Sequence, residues 1–171
     1  YSHQSEHPIR KVHYNHLKHF IHFLAENPTQ SNLFQEAYIF MVDRGDDIIW
    51  VKPTDIYLDR PFLNTGLQTY YNEVGKETEK RPLSAIYKRS GIKTETIGEF
   101  ARCLRAKIIL DRHDLSKVAS KIANIKKESQ LNISQLLWKS FVVLGKVDYY
   151  ILQDSECYYK GWGHYGKKYS H

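Results

Sequence analysis

Four histidines, His13, His16, His19 and His22, follow one another at intervals of three. Two imidazoles at such a spacing can share a zinc or nickel ion. On a helix, each step of three turns the side chain back by about 60°, so four of them spread over about half the circumference. They cannot converge on one ion, and no nearby set of Asp, Glu or Cys completes a tetrahedral site, so the sequence reads as a polar helix face without a metal. Asp43, Asp46 and Asp47 surround Gly45, a pattern that suits a hairpin tip better than a cation site.

Three further motifs invite chemistry and lack its context. Gly161-Trp162-Gly163-His164-Tyr165-Gly166 has the glycine spacing of a dinucleotide-binding turn. Such a turn must open a helix and be followed about 20 residues later by an acidic residue, and only five residues follow Gly166. His113-Asp114 resembles the dipeptide of metal phosphohydrolases, but no further ligand set accompanies it, and Asp114 reads as a helix cap. Glu77, Glu79 and Lys80 carry the residue types of a metal-nuclease core on a polar linker rather than on an alternating strand. No serine sits in a nucleophile elbow, and neither Cys103 nor Cys157 has an adjacent base. No catalytic residue, no metal ligand and no cofactor site is assigned within this chain.

The elements that would hold these residues spell an α+β fold. Pro8 to Ala25 has a helical apolar period through Ile9, Val12, Leu17, Phe20, Phe23 and Leu24, closed by Asn27-Pro28. Phe34 to Val42 and Ile48 to Val51 read as the arms of a β-hairpin. Pro53 and Pro61 then stop two extended runs, Ile48 to Lys52 and Asp55 to Leu58, giving a strand, a corner and a second short strand. Asn64 to Gly75 is helical, and Leu83 to Tyr87 starts a short helix ended by Gly91. Thr96 and Glu99 have capping-box spacing ahead of Phe100, Ala101 and Leu104. Lys107 to Leu110 is a short strand candidate. Helices opening at Asp114 and Ser134 would form an αα-hairpin, and the aromatic segment from Tyr149 onward would supply a final strand.

At 171 residues, 42% hydrophobic and 26% charged, the chain suits one α+β domain, with a point of subdivision in the charged linker at 76–82. It opens on Tyr1 without an apolar leader, which suggests a fragment of a larger protein. No run approaches the roughly 18 to 20 apolar residues of a membrane span, so no membrane partner is expected. Cys103, among apolar helix positions, reads as a buried free thiol, and two unpaired cysteines favour a cytoplasmic setting. The net charge of +6 is uneven: residues 1–75 hold six Lys or Arg against nine Asp or Glu, and residues 76–171 hold nineteen against ten. A basic half of that kind can attract nucleic acid or an acidic protein surface.

Several short runs, taken in order, resemble one family. They are His16-Leu17-Lys18-His19-Phe20; Tyr38-Ile39-Phe40; Trp50-Val51-Lys52-Pro53 leading into Asp55-Ile56-Tyr57-Leu58; Arg81-Pro82-Leu83 with Tyr87; Ile97-Gly98-Glu99-Phe100; and Leu136-Leu137-Trp138 followed by Tyr158-Tyr159. The chain resembles the region that follows the histidine-kinase/Hsp90-type ATPase domain in large sacsin-like and NO VEIN-like proteins. The resemblance spans residues 16–160 and implies a module attached to an ATPase, with the nucleotide-binding residues outside this chain. Asp43-Arg44-Gly45-Asp46 lacks the second glycine of that family's nucleotide turn.

Two readings of function follow. In the first, the chain is a non-catalytic interaction or transducer module whose partner is the remainder of a larger protein, including an ATPase domain, with Trp50, Tyr57, Tyr158 and Tyr159 as contact residues. In the second, it binds nucleic acid through Lys88, Arg89, Lys160, Trp162, Lys167 and Lys168, the lysines following phosphates and the aromatics stacking on bases. A metal-dependent nuclease is the third and least supported alternative.

Overall fold

The computed structural model describes residues 8–76, 78–121 and 124–144. In chain order its elements are α1 (Pro8–Glu26), β1 (Phe40–Arg44), β2 (Asp47–Val51), β3 (Ile56–Tyr57), α2 (Leu67–Glu73), β4 (Arg81–Pro82), α3 (Thr94–Cys103), α4 (Arg112–Lys121) and α5 (Lys127–Leu144). Short 3-10 helices cover Pro28–Phe34, Pro53–Asp55 and Ala85–Arg89. The fold is α+β, with one antiparallel and one parallel pair of strands among the described residues. The expected aromatic final strand lies outside the described residues.

The chain divides into two compact units, residues 1–64 with 79–108, and residues 65–78 with 109–171. In the first, β1 and β2 form the expected hairpin, with Phe40 opposite Val51 and Arg44 opposite Asp47. Gly45 makes the turn at φ +61°, a region that L side chains rarely adopt. β3 pairs in parallel with β4, and Lys107 lies on the other side of β3, where its amide donates to Ile56 O at 3.0 Å. The Ser84 amide donates to Met41 O at 2.9 Å, which ties the segment after β4 to the hairpin. Around this frame pack Tyr14, Leu17 and Leu24 of α1, Phe40 and Val42 of β1, and Ile97, Phe100 and Ala101 of α3. Burying a side chain of the Leu or Phe class is worth about 1.5–3 kcal/mol relative to leaving it in water.

Several sequence expectations need correction in this unit. The first hairpin arm begins at Phe40, because Pro28–Phe34 is wound as a 3-10 helix with proline supplying its first turn. The buried stripe of α1 runs through Tyr14, Leu17 and Leu24, while Val12 is 52% and Phe23 39% exposed. α3 begins at Thr94, so Thr96 and Glu99 lie inside it and form no capping box; Glu99 instead accepts from Arg102 Nε at 2.9 Å. Lys107 makes a single bridge to Tyr57, and no strand runs on to Leu110. Cys103 is exposed, because the last turn of α3 rotates it away from Phe100 and Leu104.

The second unit joins α2, α4 and α5, with α2 packed on α5. Leu67, Tyr70 and Tyr71 of α2, Leu115 and Val118 of α4, and Ile133, Leu136 and Leu137 of α5 are all buried. Here too the sequence misplaced two helix starts. α5 opens at Lys127, leaving Ser134 buried inside it. α4 opens at Arg112 and is capped by Asp111 rather than by Asp114.

Candidate functional site

Polar and aromatic side chains of the first unit gather where α1 meets the hairpin and the 3-10 helix Ala85–Arg89. That short helix is set by Ser84, whose Oγ accepts from the Ile86 amide at 3.3 Å and donates to Asp43 Oδ1 at 2.6 Å. Its position brings Tyr87, fully buried, beneath β1. The Tyr87 hydroxyl accepts from the Met41 amide at 2.9 Å and lies 2.9 Å from His13 Nε2. The Met41 N–H fills one acceptor position of that oxygen, and the imidazole tautomer sets which partner donates in the bond to His13.

Trp50 closes this arrangement from the side. Its ring and that of His13 meet edge to face with centroids 4.7 Å apart. Burial, and then the positive charge available to His16, pull the His13 pKa down from 6.5 to about 4. His13 is thus neutral at ordinary pH. Burial raises the Tyr87 hydroxyl well above its usual value, which keeps it protonated.

Tyr14, one residue along α1, donates to Ile86 O at 3.2 Å. Burial raises its pKa, opposed by the positive charges of Arg10 and Arg89. The fold therefore brings Arg10 from α1 and Arg89 from the 3-10 helix, 79 positions apart, toward one phenol. Lys88 and Arg89 form the exposed last turn of that helix. A second surface feature adjoins the hairpin: Lys52 pairs with Glu36 at 2.7 Å and sits 5.5 Å over the Tyr38 ring, itself 62% exposed.

The residues singled out from sequence fare unequally. Trp50 is 38% exposed at the hairpin edge, and Lys88 and Arg89 are on the surface. Tyr57 is corrected: it is 3% exposed, because both faces of β3 are covered, so it belongs to the scaffold. Tyr158, Tyr159, Lys160, Trp162, Lys167 and Lys168 lie outside the described residues. Among the described residues, no three His, Cys, Asp or Glu side chains come together as a metal site. His22 instead faces Glu26 at 3.3 Å across one turn. Sequence reasoning missed His13, Tyr14 and Tyr87 as a group. The available signal was the position of His13 four residues before buried Leu17, on the margin of the core-facing stripe.

In the second unit Asp114 has a wholly structural assignment. Its Oδ2 accepts from the Asp111 amide at 3.0 Å while Asp111 Oδ1 accepts from the Asp114 amide at 2.9 Å, a reciprocal cap. Asp114 Oδ1 also accepts from the buried Tyr70 hydroxyl at 2.9 Å. Burial first, and the Asp114 charge second, raise the pKa of Tyr70. Both carboxylate oxygens of Asp114 thus serve the fold, which accounts for the His113-Asp114 pair without a metal. Among the described residues, no helix is long and apolar enough to cross a membrane. No protein-family model, no curated protein and no solved structure matches this chain.

Proposed function

We propose that this chain is a non-catalytic interaction or transducer module of a larger, ATP-dependent protein working in the cytoplasm, with its partner surface centred on Trp50. The observation that carries the reading is the mounting of Trp50: a large aromatic left 38% exposed on a two-stranded ribbon and braced edge-on by His13. Aromatic side chains held rigidly at a surface lose little entropy when a partner covers them and are enriched among residues that dominate interfaces. The other polar groups of this region, Tyr87, Ser84 and Asp43, are engaged in holding the hairpin and the 3-10 helix. The test is a photo-crosslinking side chain in place of Trp50 in the full-length parent protein, with and without ATP. Crosslinks to another part of that protein, or to a bound partner, that change with nucleotide support the reading. An unchanged pattern with a normal ATPase rate would remove the transducer role.

A second reading is favoured by the approach of Arg10 and Arg89 to Tyr14 beside exposed Lys88. Basic groups converging from distant parts of a chain suit a phosphate backbone. Titration with single- and double-stranded DNA and RNA at about 50 and about 200 mM salt separates the two, because phosphate contacts lose orders of magnitude in affinity over that range.

A further inference from the structure

An apolar hollow of about 350 Å³ opens between the C-terminal end of α1, the 3-10 helix Pro28–Phe34 and one face of α3. All of its lining belongs to the first unit. Buried Leu24 and Phe100 form its floor, and half-buried Ile21 with exposed Ala25 and Pro28 complete its apolar lining. The polar or thiol-bearing residues of its lining are few: Ser31, Thr96, Glu99 and Cys103. This volume falls in the range of small-molecule sites, which are mostly apolar with a few polar groups that orient the ligand.

We propose that the hollow binds a small, uncharged aromatic molecule of one or two rings that carries a hydrogen-bond donor, such as an indole or a phenol. The size and the apolar floor call for a flat apolar body. Charge complementarity selects the rest: Glu99, the one charged residue of the lining, is already paired with Arg102, so the hollow offers no uncompensated charge to an ionic ligand, while the carboxylate can still accept a hydrogen bond. A donor N–H or O–H suits it. Arg102 accompanies Glu99 at 2.9 Å and holds that carboxylate in place from outside the lining. This site shares no residue with the surface around Trp50, so either proposal can fail without the other.

Cys103 provides the readout because it lines the hollow and is exposed, and Cys157 is the only other thiol. In a Cys157→Ser chain, the rate at which iodoacetamide labels Cys103 is followed against rising indole. The expected result is saturable slowing of about fivefold, since ligands in such sites are covered over most of their surface. Benzoate, of similar size but anionic, should slow it less than indole at every concentration. Ala25→Trp, which adds bulk at an exposed position of the lining, should abolish the protection. If that variant fails to fold by circular dichroism, Ala25→Leu is used in its place and should at least halve the protection. Absence of saturable protection by indole overturns the proposal, as does full protection in a folded Ala25 variant or equal protection by benzoate. Labelling that slows with protein concentration and ignores indole also overturns it, and would mean that a second copy covers the hollow.

Discussion

His13 and Tyr87, 74 residues apart, are joined by a 2.9 Å hydrogen bond between Nε2 and the buried hydroxyl. That bond fastens α1 to the centre of the first unit, in surroundings where burial disfavours a charge on His13. In the unfolded chain His13 titrates near 6.5, and in the folded chain near 4. Between those values the unfolded state binds more protons, so stability is complete above about pH 6.5 and falls as the pH drops toward 4.

Replacement of His13 by Phe should remove this dependence. At pH 7 the variant loses about 1–3 kcal/mol, because the buried Tyr87 hydroxyl keeps its bond from Met41 but loses its partner in α1. From pH 7 to pH 5 the parent should lose about 1 kcal/mol more than the variant, a figure discounted for the part of the ring that faces water. Urea unfolding at the two pH values measures both quantities. Parallel losses in parent and variant would show that His13 is not the titrating group.

Gly98 allows α3 to lie directly on the backbone of Phe62. A Cβ at this position would fall 2.0 Å from the Phe62 carbonyl oxygen. Alanine is the better helix former by about 1 kcal/mol, yet Gly98→Ala should destabilise the protein by about 2 kcal/mol or more, since backbone cannot yield as a side chain does. Thermal unfolding decides between the two effects, and a raised Tm would mean that the close approach is wrong.

Asp114 and Tyr70 act as a pair. Tyr70→Phe should cost about 1 kcal/mol, and Asp114→Ala about 2–4 kcal/mol, because the aspartate loss removes the reciprocal cap with Asp111 and strands the Tyr70 hydroxyl together. The double variant should be clearly more stable than the sum of the two losses predicts. Strict additivity in denaturant unfolding would show that the two residues are not coupled.

If the chain binds nucleic acid, Lys88→Ala with Arg89→Ala should weaken it at every sequence alike and reduce the slope of log affinity against log salt by about two. An unchanged slope would exclude this turn from the interface. Trp50→Ala, by contrast, should leave that slope alone while weakening a protein partner of the Trp50 surface.

The helical and hairpin segments were legible wherever a local rule was strong. Proline at 28 and 53 and glycine at 45 and 91 each marked a real boundary. Local rules failed where long-range packing outvoted them. Tyr57 sits in a strand covered on both faces, so alternation could not say which way was out. Thr96 and Glu99 had the right spacing for a cap, but the helix starts two residues before Thr96, after the turn at Gly91. The cap of α4 is Asp111, three residues before the Asp114 that the sequence suggested, and Asp114 answers it from inside the first turn. The contact of His13 with Tyr87 left no mark in local sequence, since two residues 74 positions apart are brought together only by the completed fold.

The interleaving of the two units has a consequence for synthesis. Residues 65–78, including α2, leave the ribosome before the first unit is complete at residue 108, and their own partners come only with residues 109–144. α2 has seven residues, too few to persist as an isolated helix in water. Its Leu67, Tyr70 and Tyr71 must therefore wait uncovered until residue 144 is added, for about 4 to 14 s at ordinary elongation rates. That interval is the nascent chain's period of greatest exposure to chaperones, and chains stalled just after residue 108 should be the ones that chaperones hold longest.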